Sequence, residues 1–309
     1  MILVVGHNPD WKKIYRISRM KVGEVNRLEA AEFFPAGKGG NTARVLRGLG
    51  EKVLLLSYFG GSNGDRFRRA IAQEGIPHRY VRTSGETRTC TTILEAEELT
   101  TELIEPAAPL EPVEIRRFEA LFRRSLSAAR LLIVAGTSLP GSPEDCYRGY
   151  IERAKSRNIP TILDSYKSHG RAALQARPEV LKINLFELES LTGRPLSGTG
   201  ERRSALREVR DEHGLEWIVI TRGAGGVEGF DGQSYLRAAA PEVQVLNPIG
   251  SGDAVTAGIA HTLVRGGSLE QALRRGTALG TANCLNLYPG RVDPASYRKI
   301  LERVEVQAF

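Results

Sequence analysis

The sequence predicts an α/β fold: a mostly parallel central sheet with helices on both faces, carrying a small second sheet. Short β-branched runs alternate with amphipathic segments along the first two thirds of the 309 residues. Alternation of that kind needs crossover connections, and crossovers make neighbouring strands parallel. The last third turns helical, and two stretches near the front fit neither pattern.

The elements follow in order. Ile2 to Val5 reads as a buried strand, Asn41 to Leu49 as a helix, Val53 to Ser57 as a strand and Arg66 to Glu74 as a helix. Pro112 to Ala128 and Pro143 to Arg157 have the helical period and flank the strand Leu131 to Ala135. Thr161 to Asp164, Val180 to Ile183 and Trp217 to Thr221 complete the main strands, with the helix Arg202 to His213 before the last. Val243 to Leu246 is strand-like, and helices are then expected at Gly252 to Val264, Leu269 to Leu287 and Pro294 to Val304, with few further strand signals.

The misfits are Trp11 to Phe34 and Thr87 to Glu105. In the second, Thr89-Cys-Thr-Thr-Ile-Leu-Glu and Thr100-Thr-Glu-Leu-Ile-Glu flank acidic turn residues as the arms of a hairpin do. Threonine-rich alternation suits a sheet with one wet face. The expectation is one domain over residues 1–309, with a discontinuous β lid from about 11–34 and 87–105 that shields the cleft from water.

With 41% hydrophobic and 26% charged residues, the composition is that of a folded protein and excludes a fibre or a disordered chain. Cys90, Cys146 and Cys284 form no CxxC pair and no metal-ligand spacing with the five histidines, so reduced thiols in a cytoplasmic protein are expected. The apolar run at the N-terminus is too short for a signal-peptide core or a spanning helix, so no membrane partner is expected. The net charge of +7 is spread along the chain without interleaved aromatics, which argues against a nucleic-acid partner. A positive field suits anionic small substrates.

The stretch richest in chemistry is Gly250-Ser251-Gly252-Asp253, which runs directly into a helix. Small residues let backbone close on a ligand, and the N–H groups of a helix start bind anions. A phosphate fits there, and Asp253 beside it suits the base that takes the proton of an attacking hydroxyl. Taken alone, the same residues read as a turn and a helix cap. Gly37-Lys38-Gly39-Gly40-Asn41 offers close backbone approach, an ammonium for a phosphate and an amide for hydroxyls. It is no Walker A loop, because Gly39 follows Lys38 and position 32 is glutamate.

Both stretches resemble the signatures of the ribokinase-like (PfkB) carbohydrate kinases: Phe34-Pro-Ala-Gly-Lys-Gly-Gly-Asn-Thr-Ala-Arg-Val-Leu-Arg-Gly-Leu-Gly50 the first, Asn247-Pro-Ile-Gly-Ser-Gly-Asp-Ala-Val-Thr-Ala-Gly the second. Asn8-Pro9, Gly23-Glu-Val-Asn-Arg27 and Gly136-Thr-Ser-Leu-Pro140 make the chain most similar to the 1-phosphofructokinase and tagatose-6-phosphate kinase branch. The resemblance implies a three-layer α-β-α fold with a β-sheet lid and ATP-dependent phosphorylation of a hexose phosphate. It implies ATP and Mg²⁺ as cofactors, with Asp253 as base and the Gly250, Ser251 and Gly252 amides as anion hole. Asn184 and Glu187 match an Asn-x-x-Glu element that places Mg²⁺ through water. Thr221, Gly223 and Gly226 match the nucleotide-binding turn, and Asn283 falls on the helix that lines the adenine pocket.

The same resemblance puts Gly37, Lys38, Gly39 and Asn41 on the sugar, with Arg27, Arg88 and Lys38 as cations for an acceptor phosphate and Ser138 and Asp164 as polar neighbours. The branch continues its first strand as Asn-Pro-Ala-hydrophobic-Asp, the aspartate facing sugar hydroxyls. Here Asn8-Pro-Asp-Trp-Lys12 sets Lys12 in that place with Asp10 beside it, which leaves the acceptor open. The alternatives are a kinase of an unphosphorylated sugar or nucleoside and a non-catalytic sugar-sensing regulator. A dehydrogenase fits poorly, because Gly6-His-Asn-Pro is no GxGxxG. A lid with open sheet edges predicts a homodimer through that lid.

Overall fold

The computed structural model describes residues 1–95 and 99–309; most of the acidic turn expected between the two lid arms lies outside the described residues. Its main sheet is built on β1 (Ile2–Gly6), β4 (Val53–Gly60), β5 (His78–Thr83), β8 (Leu131–Ala135), β9 (Thr161–Asp164), β10 (Val180–Asn184) and β11 (Trp217–Thr221), all parallel. The strands β12 (Val227–Phe230), β13 (Tyr235–Ala238) and β14 (Val306–Ala308) continue it antiparallel, giving the order β14-β13-β12-β11-β10-β9-β8-β1-β4-β5.

The central strands are apolar on both faces, as a sheet covered twice requires. Their two-residue period divides the core. Leu3 and Val5 of β1 belong to one apolar cluster, with Phe118 and Phe122 of α3 (Pro112–Leu126), Tyr150 and Ile151 of α4 (Cys146–Lys155), and Leu206 of α7 (Thr199–His213). Ile2 and Val4 point the other way, to Leu46 of α1 (Lys38–Gly48), Phe67 of α2 (Gly61–Gln73), Ile259 of α8 (Ser251–Leu263) and Leu273 of α9 (Leu269–Asn283). Two shorter helices, α5 (Ser168–Leu174) and α6 (Leu185–Thr192), and the last, α10 (Pro294–Arg303), complete the two outer layers.

A second sheet has the order β3-β2-β6-β7, from β2 (Asp10–Ile17), β3 (Ala30–Ala36), β6 (Thr89–Glu95) and β7 (Thr100–Ile104). It is the separate sheet the sequence predicts, in two non-contiguous pieces. The stretch Val243 to Leu246 is not a strand but irregular backbone. The expected scarcity of late strands is also corrected, because β12, β13 and β14 extend one end of the sheet as strands of three or four residues, too short for a periodic signal. β5 escapes notice for a similar reason: on the opposite edge, it buries only Val81 fully. Among the described residues, no helix is long and apolar enough to cross a membrane.

The parallel strands all deliver their C-terminal ends to one rim, which is where such sheets bind ligands. Gly6 ends β1 there, Ala135 and Asp164 are register partners on β8 and β9, and Asn184 and Thr221 are partners on β10 and β11. The start of α1 rests on the end of β1 so closely that a Cβ on Gly39 would lie 2.7 Å from the Gly6 Cα. A backbone atom cannot swing aside, so Gly39→Ala is expected to cost about 1–3 kcal/mol of stability. Urea unfolding checks this; an unchanged midpoint at constant slope would refute it.

Candidate active site

Two helix N-termini meet at this rim, α1 after Gly37 and α8 after Gly250. Gly250 holds a left-handed φ of 88° and is packed against Pro289 and Gly290, so it turns the chain into α8 where a side chain would not fit. Ser251, Gly252 and Asp253 form the first turn of α8, whose N–H groups lack intrahelical acceptors. A Cβ on Gly252 would sit 2.9 Å from the Lys182 Nζ, so glycine there leaves room for an ammonium at the helix mouth.

Four charges are gathered here. Asp164 is wholly buried and receives Lys38 Nζ at 2.7 Å, Lys182 Nζ at 3.2 Å and the Thr256 hydroxyl at 2.6 Å. Burial pushes its carboxyl up, but Lys182, Lys38 and the hydrogen bonds outweigh that and hold it at about 2. Asp253 is buried too, and the Asn41 amide donates to its Oδ2 at 2.8 Å. Burial first, and then the charge of Asp164, push Asp253 up to about 6, against the opposing pull of Lys38, Lys182 and the Asn41 hydrogen bond. Two carboxylates thus take different work: Asp164 stays ionised as counter-ion to the lysines, and Asp253 is poised to take a proton near neutral pH.

Burial opposes the charge on Lys38, but Asp164, Glu187 and Asp253 prevail and raise its pKa. Its ammonium, expected on an acceptor phosphate, is engaged with Asp164 and lies 3.5 Å from the Glu187 carboxylate. Glu187 and Asn184 form a reciprocal capping box on α6, Glu187 N–H donating to the Asn184 Oδ1 at 2.8 Å and Asn184 N–H to the Glu187 carboxylate at 2.9 Å. The Asn-x-x-Glu stretch is thus a helix cap, and the second Glu187 oxygen still faces the cleft lysine. Thr221, Gly223 and Gly226 form the hairpin turn between β11 and β12.

Asn283 is 1% exposed, and its amide donates to the Ile249 carbonyl at 2.9 Å and the Ser251 hydroxyl at 3.1 Å while accepting from the Gly290 N–H at 2.7 Å. An amide so occupied braces the turn before α8. Ser138 is likewise engaged, its hydroxyl lying 2.7 Å from both His7 Nδ1 and Ser142 Oγ. Burial, then the nearby His169, push His7 down to about 3, so the ring is neutral.

Toward the second sheet, Asp10 and Lys12 are buried side by side. Lys12 Nζ lies 2.9 Å from Glu102 on β7 and 3.9 Å from Asp10. Burial raises the Asp10 carboxyl, Lys12 and Arg88 pulling the other way. The Asp10 Oδ1, Asn8 Oδ1 and Arg88 Nε are buried without hydrogen-bond partners among the described residues. Arg27 is exposed in the connection between β2 and β3 and pairs with none of the other predicted site residues. Sequence reasoning passed over Lys182, Thr256 and Arg44; a lysine inside the apolar run Val180-Leu-Lys-Ile was the signal available for the first.

Mg²⁺ keeps much of its water and needs only one or two carboxylates beside the substrate phosphates. No group of three or more His, Cys, Asp or Glu suited to a metal occurs among the described residues. Glu187 beside Lys38 fits an ion held mainly by nucleotide phosphates and water.

Fold and site together define the ribokinase-like class of α/β kinases. The chain belongs to the pfkB family of carbohydrate kinases, whose model matches residues 2–294. Among solved structures it is similar to phosphofructokinase-2 from Escherichia coli in its tetrameric inhibited form, at 26% identity and TM-score 0.87 over 98% of both chains. The same enzyme in complex with fructose-6-phosphate matches at 25% identity and TM-score 0.86, again over 98% of each. A possible 1-phosphofructokinase from Thermotoga maritima shares the fold at 18% identity and TM-score 0.90, over 100% of this chain and 99% of that one.

A base at Asp253 would need to be ionised, which predicts activity that is full above its pKa and falls as pH drops through about 6. Asp253→Asn is expected to leave ATP binding nearly intact and lower kcat by about 10³-fold or more. Calorimetry with ATP and a coupled ADP-release assay read the two; a mutant with near-normal turnover would remove the base.

Proposed function

We propose that this carbohydrate kinase transfers the γ-phosphoryl group of ATP to a hydroxyl of a hexose phosphate. The observation that carries the transfer is Asp253, a buried carboxyl raised to about 6 at the mouth of α8 with Lys38 and Lys182 beside it. In this reading the acceptor hydroxyl lies against Asp253, which takes its proton as the oxygen attacks phosphorus and the bond to ADP breaks. The α8 amides with Lys38 and Lys182 hold the negative charge of the moving group. Glu187 and Asn184 would hold Mg²⁺ through water, and the ion would supply charge neutralisation to the nucleotide phosphates. Thr221, Gly223 and Gly226 fit the nucleotide side of the cleft.

A phosphorylated acceptor is supported by the unpaired Arg88 Nε and by the complex of the E. coli neighbour with fructose-6-phosphate. Arginine suits such a group because its planar fork matches phosphate oxygens. One observation favours a neutral acceptor: Lys12 is already neutralised by Glu102 and Asp10, while the unsatisfied oxygens of Asn8 and Asp10 suit sugar hydroxyls. A panel of hexose phosphates and free sugars in the ADP-release assay separates these. The proposal expects turnover on at least one hexose phosphate with kcat/KM about 100-fold or more above any free sugar, since a free sugar would leave the buried Arg88 Nε without a partner. Activity confined to free sugars would reverse the choice.

The second sheet fits the role of a lid, and we place a twofold interface on it. Val22, Val25, Leu28, Phe33, Leu103 and Ile104 are exposed apolar residues on its strands and on the connection between β2 and β3. Unpaired thiols at Cys90, Cys146 and Cys284 suit the reducing cytoplasm. Light scattering should give twice the chain mass, and Leu103→Glu with Ile104→Glu should halve it; a monomer before mutation would dismiss the interface.

A further inference from the structure

Asp253 is fixed by a hydrogen bond whose geometry depends on a residue outside the cleft. Asn41 is 2% exposed, with its Nδ2 donating to the Asp253 Oδ2 at 2.8 Å and its Oδ1 accepting from the Arg44 Nη1 at 3.1 Å. A guanidinium only donates and a carboxylate only accepts, so both neighbours demand the same orientation of the amide. Arg44 stands three residues along α1, close enough to face Asn41 on the same side of the helix.

The guanidinium is itself held at every N–H. Nε donates to the Glu74 Oε2 at 2.6 Å, Nη1 also to the Pro289 carbonyl at 2.9 Å, and Nη2 to the Pro35 carbonyl at 2.9 Å and to the Glu74 Oε1 at 3.4 Å. Its carbon lies 4.6 Å from the centre of the Tyr288 ring, which stacks on Phe34 at 4.2 Å and donates its hydroxyl to Glu74. Pro35 belongs to β3, and Pro289 lies against the Gly250 turn that starts α8. Lysine could not make this set of contacts, having no planar fork.

We propose that Arg44 is the positioning residue of the catalytic base: it locks the Asn41 amide to donate to Asp253, and couples that lock to β3 of the second sheet and to the Pro289 turn. The inference rests on the reading of Asp253 as base. If Asn41 turned over, its oxygen would face the carboxylate and repel it, so the amide supports the ionised base only while its other end is held. The charged groups that face Asp253 are Lys38 on α1, Asp164 on β9 and Lys182 on β10, with Glu187 on α6 beyond Lys38. Those around Arg44 are Glu74 and Tyr288, with Arg291 over the outer part of the same ring. None of the first set touches Arg44, so its removal leaves their charges in place.

The sign follows. The Asn41 hydrogen bond lowers the Asp253 pKa against burial and Asp164, so releasing it raises that pKa and the base is ionised only at higher pH. Site-resolved carbon NMR of the carboxyl in the ligand-free protein reads this without any acceptor, the resonance being assigned by its loss in Asp253→Asn. Arg44→Gln is expected to move the midpoint up by about 0.5–1 unit, Asn41→Ala to move it the same way, and the double mutant to move it no further than Asn41→Ala alone. A packing role for Arg44 would lower thermal stability without moving the midpoint. An unmoved midpoint in Arg44→Gln, or a full additional shift in the Asn41→Ala background, overturns the inference. Should Arg44→Gln melt too early to titrate, Arg44→Lys, which keeps the charge but not the fork, is judged by the same midpoint. Near-normal turnover in Asp253→Asn would instead overturn the base itself, whatever the titration shows.

Discussion

Burying Asp164 and Asp253 together, away from bulk solvent, is the constraint on which the rest of the site depends. Two carboxylates buried in one site cannot both ionise freely. Lys182 from β10 and Lys38 from α1 meet Asp164 at 3.2 and 2.7 Å, and Thr256 from α8 completes it. Their combined attraction settles which carboxyl gives up its proton first. Asp253 keeps the higher pKa because its strongest direct partner is a neutral amide.

That division of labour explains several features of the fold at once. Each of the four charges comes from a different element, so the site exists only when β9, β10, α1 and α8 are all docked on the same rim. The approach of Gly39 to Gly6 sets α1 low enough for Lys38 to reach Asp164. The left-handed Gly250, braced by Asn283, sets the angle of α8. An unpaired buried charge costs several kcal/mol, so losing one of these elements would leave its partners strongly unfavourable.

Much of this was legible in the sequence. The central strands are apolar enough to be seen as doubly covered, and the two glycine-rich stretches announce helix N-termini that need close approach. The short antiparallel strands β12 to β14 at one end of the main sheet were not legible, being too short for a period. The bracing role of Asn283 was not legible, because nothing local marks an amide that braces a turn. Lys38 was read toward the acceptor because its partners, Asp164 and Glu187, lie 126 and 149 residues away. Arg44 was invisible as more than one arginine among many, since its role lies in hydrogen bonds that include Glu74 and Pro289, 30 and 245 residues away.

The most direct test of the whole account is a carbon NMR titration that follows the Asp164 and Asp253 carboxyls in one sample. Two well-separated midpoints are predicted, near 2 for Asp164 and near 6 for Asp253. Both carboxyls titrating together in the ordinary range around 4 would contradict the division between counter-ion and base.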